Sequence, residues 1–168
     1  MLTGLLPMLA ISLGAIDWTN AASCPSVAAG HEHFDLDGKC YILIKSGASW
    51  HVAMAVCWQF GGRLAHVTDS HTLYAIHGWL NGVYKPIPEG TWWIGLQQVD
   101  NSNEPAGGWA WVDHVNVVHW STTANTLWHE TQPDHHGGKE NCGRLLKWNT
   151  FGLDDGECTA ERPYICEA

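Results

Sequence analysis

The chain has 168 residues, with 17 Asp plus Glu against 8 Lys plus Arg for a formal net charge of −9. That balance opposes contact with a phosphate backbone and excludes nucleic acid as a partner, and the length suits one core of moderate size rather than two domains. The 11 Trp and 11 His are an excess for this length; most of the indoles are expected in the core, where each buries a large area.

Residues 2–16 form an apolar stretch of secretory length, followed by the small residues Ala21, Ala22 and Ser23. The pattern reads as a signal peptide over 1–23 and a mature domain over 24–168. The stretch is too short to span a bilayer, so the expectation is a secreted, extracellular protein with no membrane span. Six cysteines follow, Cys24, Cys40, Cys57, Cys142, Cys158 and Cys166. An even count behind a leader argues for disulfides, and the lack of any Cys-x-x-Cys pair removes the zinc-ribbon and redox readings. Spacing alone leaves the pairing open.

From His31 to Tyr41 the turn dipeptide Asp37-Gly38 lies between Phe34 and the apolar run Tyr41 to Ile44, which predicts a hairpin. Ser49 to Phe60 predicts a helix, with Ser49 as N-cap, Val52, Ala53, Val56, Cys57 and Phe60 on its inner face, and Gly61-Gly62 as the stop. A second helix is expected from Asp69 or Ser70 to Leu80, with Leu73, Ile76, Trp79 and Leu80 as its apolar stripe and Asn81-Gly82 ending it. Trp92 to Leu96, Trp109 to Val112, Gly143 to Trp148 and Arg162 to Cys166 read as strands. The polar stretch from Asp113 to Asn141 has little helical period, and a loop of that length inside a compact domain is usually functional.

The chemistry concentrates at three stations: Gln132-Pro133-Asp134, then Glu140 two residues before Cys142, then Asp154-Asp155 ahead of Cys158. All five side chains are hard oxygen donors. Calcium takes about six to eight such oxygens from carboxylates, amide carbonyls and water. These side chains with the Asp155 carbonyl would therefore leave positions open to sugar hydroxyls.

In the order of its elements and motifs the chain resembles the C-type lectin-like domain. The resemblance rests on Cys24-Pro25, Cys40-Tyr41, Gly61-Gly62-Arg63-Leu64-Ala65 after Cys57, Trp93-Ile94-Gly95-Leu96, Trp109-Ala110-Trp111-Val112-Asp113 and Pro163-Tyr164-Ile165-Cys166. It implies an α+β fold in which two helices flank small antiparallel sheets beside a long irregular binding loop. It also implies bridges Cys24 to Cys40, in the long-form N-terminal hairpin, Cys57 to Cys166, and Cys142 to Cys158. His135 and Asn141 stand where the family's second calcium position needs acids, so one calcium is expected. By the same resemblance Gln132, Asp134, Glu140, Asp154 and Asp155 are ligands of a sugar-binding calcium, and Pro133 is cis. The first four would also touch the sugar.

Gln-Pro-Asp resembles the galactose-type members, so terminal galactose or N-acetylgalactosamine is the expected ligand. The implied partners are glycans or glycoconjugates, bound weakly one at a time, which makes a homo-oligomer useful. Two positions depart from the family pattern. Leu153-Asp154-Asp155 stands where Trp-Asn-Asp is usual, which removes an amide donor and adds a charge. His136 stands where a sugar-stacking Trp is usual, with Trp148 as a substitute for it. The segment Val117 to Leu127 reads as an insertion. No Gly-x-Ser-x-Gly elbow or His-Glu-x-x-His helix occurs, so an enzyme is not expected. The rival reading is a calcium-independent protein- or mineral-binding module that uses the same acidity and Trp-rich surface.

Overall fold

The computed structural model describes Cys24 and residues 30–83, 90–113, 118–120, 126–148 and 150–168. The expected leader over 1–23, and Val117 with residues 121–125 of the expected insertion, lie outside the described residues.

Strands β1 (Glu32–Leu36) and β2 (Lys39–Ala48) form the expected hairpin. Asp37 and Gly38 both have positive φ, 52° and 78°, as a two-residue type I′ turn requires. Helix α1 (Trp50–Gln59) follows, with Ser49 extended at the N-cap position but making no side-chain cap bond. It buries Trp50, Ala53 and Cys57, whereas Val52 is 54% exposed. The stripe starts at Trp50, so the 3.6-residue period turns Val52 to solvent, contrary to the sequence expectation.

After β3 (Arg63–Leu64), helix α2 (Ser70–Val83) is capped by Asp69, which accepts the Thr72 N–H at 2.8 Å and the Thr72 hydroxyl at 3.1 Å. The helix runs on through Asn81-Gly82, where a stop was expected. Asn81 accepts a hydrogen bond from Lys147 Nζ, which ties this last turn to the sheet.

The remaining strands are β4 (Gly90–Gln98), β5 (Trp109–Val112), β6 (Val118–Trp120), β7 (Glu140–Trp148), β8 (Thr150–Glu157) and β9 (Arg162–Glu167). The sheet runs β1-β2-β9-β4-β5-β6, with β3 on β9 and the β7/β8 hairpin attached to β4. β6 falls inside the segment read as loop, and it pairs antiparallel with β5.

Alternation along the strands divides the core in two. Tyr41, Leu43, Trp92, Ile94 and Ile165 face α2, with Leu73, Ile76 and Leu80. Ile42, Ile44, Trp93, Tyr164 and Cys166 face α1, with Trp50, Ala53 and Cys57. Burial of each large apolar side chain contributes about 1.5–3 kcal/mol. Trp50, Trp92, Trp93, Trp109 and Trp111 are all buried, as expected of most indoles. The bridges are Cys24–Cys40, Cys57–Cys166 and Cys142–Cys158, the pairing that the resemblance implied.

Candidate functional site

The β7/β8 hairpin carries the site. Its register sets Arg144 opposite Asp154 and Gly143 opposite Asp155, so the two aspartates stand on a strand. The polar run Leu153 to Glu157 looks like a turn, yet pairing with β7 and the Cys142–Cys158 bridge hold it extended. Both aspartates are buried, Asp154 at 2% and Asp155 at 0% exposure.

Residues 129–139 cross this hairpin and are tied to it by backbone. The His129 N–H donates to the Leu153 carbonyl at 2.8 Å, and the Gln132 N–H to the His129 carbonyl at 2.8 Å. Gln132–Pro133 is cis. Beyond it the amides turn inward. The N–H groups of Asp134 and His135 donate to the two carboxylate oxygens of Asp155 at 3.1 and 2.8 Å. The His136 N–H donates to Asp134 Oδ1 at 3.2 Å and to Glu140 Oε2 at 2.9 Å. Positive φ at His135, Gly137 and Gly138 makes this tight reversal, a conformation that costs a glycine little.

Asp134, Glu140 and Asp155 each thereby present an oxygen, all within 4.8 Å of one another. Burial first, and then the charge of Asp155, push the Glu140 carboxyl above the usual carboxylate range. Burial does the same to Asp154, with Asp155 and Asp134 adding to it against the pull of Arg144. Asp155 is likewise raised by burial, although the His135 and Asp134 N–H groups oppose the shift. The carboxylates repel one another inside a partly desolvated pocket.

The donor set suits a hard cation. Gln132 Oε1 and Asp154 Oδ1 are buried oxygens without a hydrogen-bond partner, and buried acceptors are normally satisfied. With the three clustered carboxylates they make an all-oxygen set of the type that binds calcium.

Of the residues singled out from sequence, Gln132, Asp134, Glu140, Asp154 and Asp155 gather around this pocket, and exposed His136 contributes its backbone N–H there. Trp148 ends β7, paired with Thr150 and four register positions or roughly 13 Å along the strand from Arg144; its side chain lies outside the described residues. Two charged residues had gone unnoticed. Arg144 Nε donates to Asp154 Oδ2 at 2.6 Å and its Nη2 lies 3.7 Å from Glu140 Oε1. Glu104 Oε2 stands 3.6 Å from His135 Nδ1. The signal for Arg144 was its place opposite Asp154 once β7 and β8 pair as a hairpin; nothing local marks Glu104.

The sequence matches the model of the lectin C-type domain over residues 46–168. The chain belongs to the C-type lectin domain family. C-type mannose receptor 2 of Mus musculus is 32% identical over 149 residues, which cover 86% of this chain and 9% of that protein's length. A C-type lectin galactose-binding isoform of Hoplocephalus stephensii is 26% identical over 156 residues, covering 91% of this chain and 88% of the relative. Among solved structures, C-type lectin CEL-I from Cucumaria echinata superposes with a TM-score of 0.66 at 19% identity, over 87% of this chain and 97% of that one. Its α+β fold is therefore the C-type lectin fold, as the motifs implied.

Proposed function

We propose that this C-type lectin domain binds a terminal galactose or N-acetylgalactosamine residue of a glycan through one calcium ion. Gln132, Asp134, Glu140, Asp154 and Asp155 would hold the ion. When bound, calcium supplies coordination positions for two neighbouring sugar hydroxyls. The reading is carried by one observation: three carboxylate oxygens lie within 4.8 Å of one another beside buried, unpartnered oxygens of Gln132 and Asp154. Four acids face a pocket in which Arg144 pairs with two of them, so an external cation is the missing counter-charge.

The protein's own groups then define which hydroxyls fit. The Gln132 amide can donate to a hydroxyl, whereas the Asp134 carboxylate can only accept, and this polarity selects one hydroxyl pair over its mirror arrangement. The order Gln-Pro-Asp and a relative named as galactose-binding both favour galactose. His136, exposed at the rim, is the ring offered to the sugar's apolar face, with Trp148 as its substitute. Nothing in this constellation arranges a general acid, because a carboxylate held on calcium stays ionised; the domain acts by binding.

A single sugar should bind with a Kd on the order of 1 mM, about −4 kcal/mol, so glycan clusters or an oligomer would set the useful avidity. A glycan array read with calcium and again with chelator tests the proposal. Galactose-terminated glycans should be retained with calcium and released by chelator. Retention indifferent to chelator, or confined to mannose-terminated glycans, would refute it.

A further inference from the structure

Arg144 is the cation paired with the pocket's acids, with Arg162 near enough to feel Asp154 and Glu140, and its placement is built. Its side chain is 14% exposed and Asp154's is 2%. Strand register brings the two face to face, and Nε takes Asp154 Oδ2 at 2.6 Å while Oδ1 stays buried without a partner. Gly156 makes the room, since a Cβ there would come within 2.7 Å of Arg144 Nη1 and 3.1 Å of its Cζ. The guanidinium also reaches toward Glu140, at 3.7 Å. One side chain thus touches two of the five oxygen donors.

We propose that Arg144 and Asp154 act as one unit with the properties of a side-chain amide, Arg144 being a positioning residue for Asp154. An amide carries no charge, one acceptor oxygen and N–H donors. The pair has the same inventory: its charges cancel, Oδ2 is used internally, Oδ1 is left as the acceptor, and the guanidinium supplies N–H donors beside it. Asp154 alone would add a fourth negative charge to a site meant for a divalent ion; with Arg144 the local charge matches that of an asparagine at the same position. The inference rests on the calcium reading above and concerns which groups tune it.

Calcium titration by calorimetry, with thermal unfolding in chelator as the second readout, tests the unit in wild type, R144M, D154N, R144M/D154N and G156A. Each of R144M and D154N should weaken calcium binding by about tenfold or more, one by releasing Asp154 from the bond that orients its carboxylate, the other by leaving an unpaired guanidinium. The double variant should return to within about threefold of wild type, a non-additivity expected of groups in contact. G156A alters neither charge but presses on Arg144 and, at 3.1 Å, on the buried Trp93 ring, so it should weaken calcium binding and also lower the unfolding temperature. Should R144M fail to fold, G156A and the double variant decide the matter. Additive losses in the double variant, or calcium affinities unchanged while only unfolding temperatures fall, would overturn the inference and leave the proposed function standing. Absence of calcium uptake by wild type would overturn both.

Discussion

Glu167 and Asp155 are both buried carboxylates on strands, 3% and 0% exposed, yet the protein treats them differently. Glu167 receives Arg63 Nε at 2.8 Å, Lys39 Nζ at 3.7 Å and the His66 N–H at 3.1 Å. Its charge is answered by cations of the fold itself, at the seam of β2, β3 and β9. Asp155 receives two backbone N–H groups and otherwise faces Asp134 and Glu140. Glu167 is closed by the protein's own cations; Asp155, a calcium ligand in the proposed function, is oriented by dipoles and left short of positive charge.

The seam should carry stability and the pocket calcium. Removing the bridge that spans 109 residues, in C57A/C166A, should cost about 4.7 kcal/mol by loop closure, read by urea unfolding with and without calcium. Next, E167Q should lose about 1.5–3 kcal/mol, because it strands Arg63 and Lys39, and its calcium affinity should equal that of wild type. E140Q should do the reverse, keeping its unfolding free energy in chelator within about 1 kcal/mol while weakening calcium about tenfold or more. If E167Q and E140Q behaved alike, the distinction between seam and pocket would fail.

Acid sharpens the same contrast. The carboxyls of Glu140, Asp154 and Asp155 are raised in the folded, metal-free state. Such groups favour the fold while protonated, below the unfolded range near pH 4, and that contribution is lost as pH rises through the raised values. At neutral pH the metal-free pocket therefore opposes folding, and calcium removes the penalty. The calcium-induced rise in Tm should be largest near pH ~7.5 and vanish by about pH 4. The smallest effect belongs outside both regions: Asp69→Ala removes the α2 cap and should cost about 1 kcal/mol, with calcium affinity untouched.

Much of this was legible in the residues because local rules and tertiary context agree there. Asp37-Gly38 forms its turn, Asp69 caps its helix, and the oxygen donors stand at the three expected stations. Legibility failed where long-range pairing decided the outcome. Val52 faces water because Trp50 claims the inner face of α1. β6 exists by virtue of β5, and Asp154 lies extended because β7 runs beside it. Arg144 escaped notice for the same reason, since the site was read as a set of acids and its cation arrives through strand register.

The most direct test of the central claim is a calorimetric titration of the metal-free protein with calcium at neutral pH. One calcium should bind per chain, with a Kd in or below the range of about 10⁻⁴–10⁻³ M typical of extracellular modules, and E140Q should weaken that uptake about tenfold or more. Heat of dilution alone up to calcium well above that range, or an undiminished isotherm in E140Q, would contradict the claim.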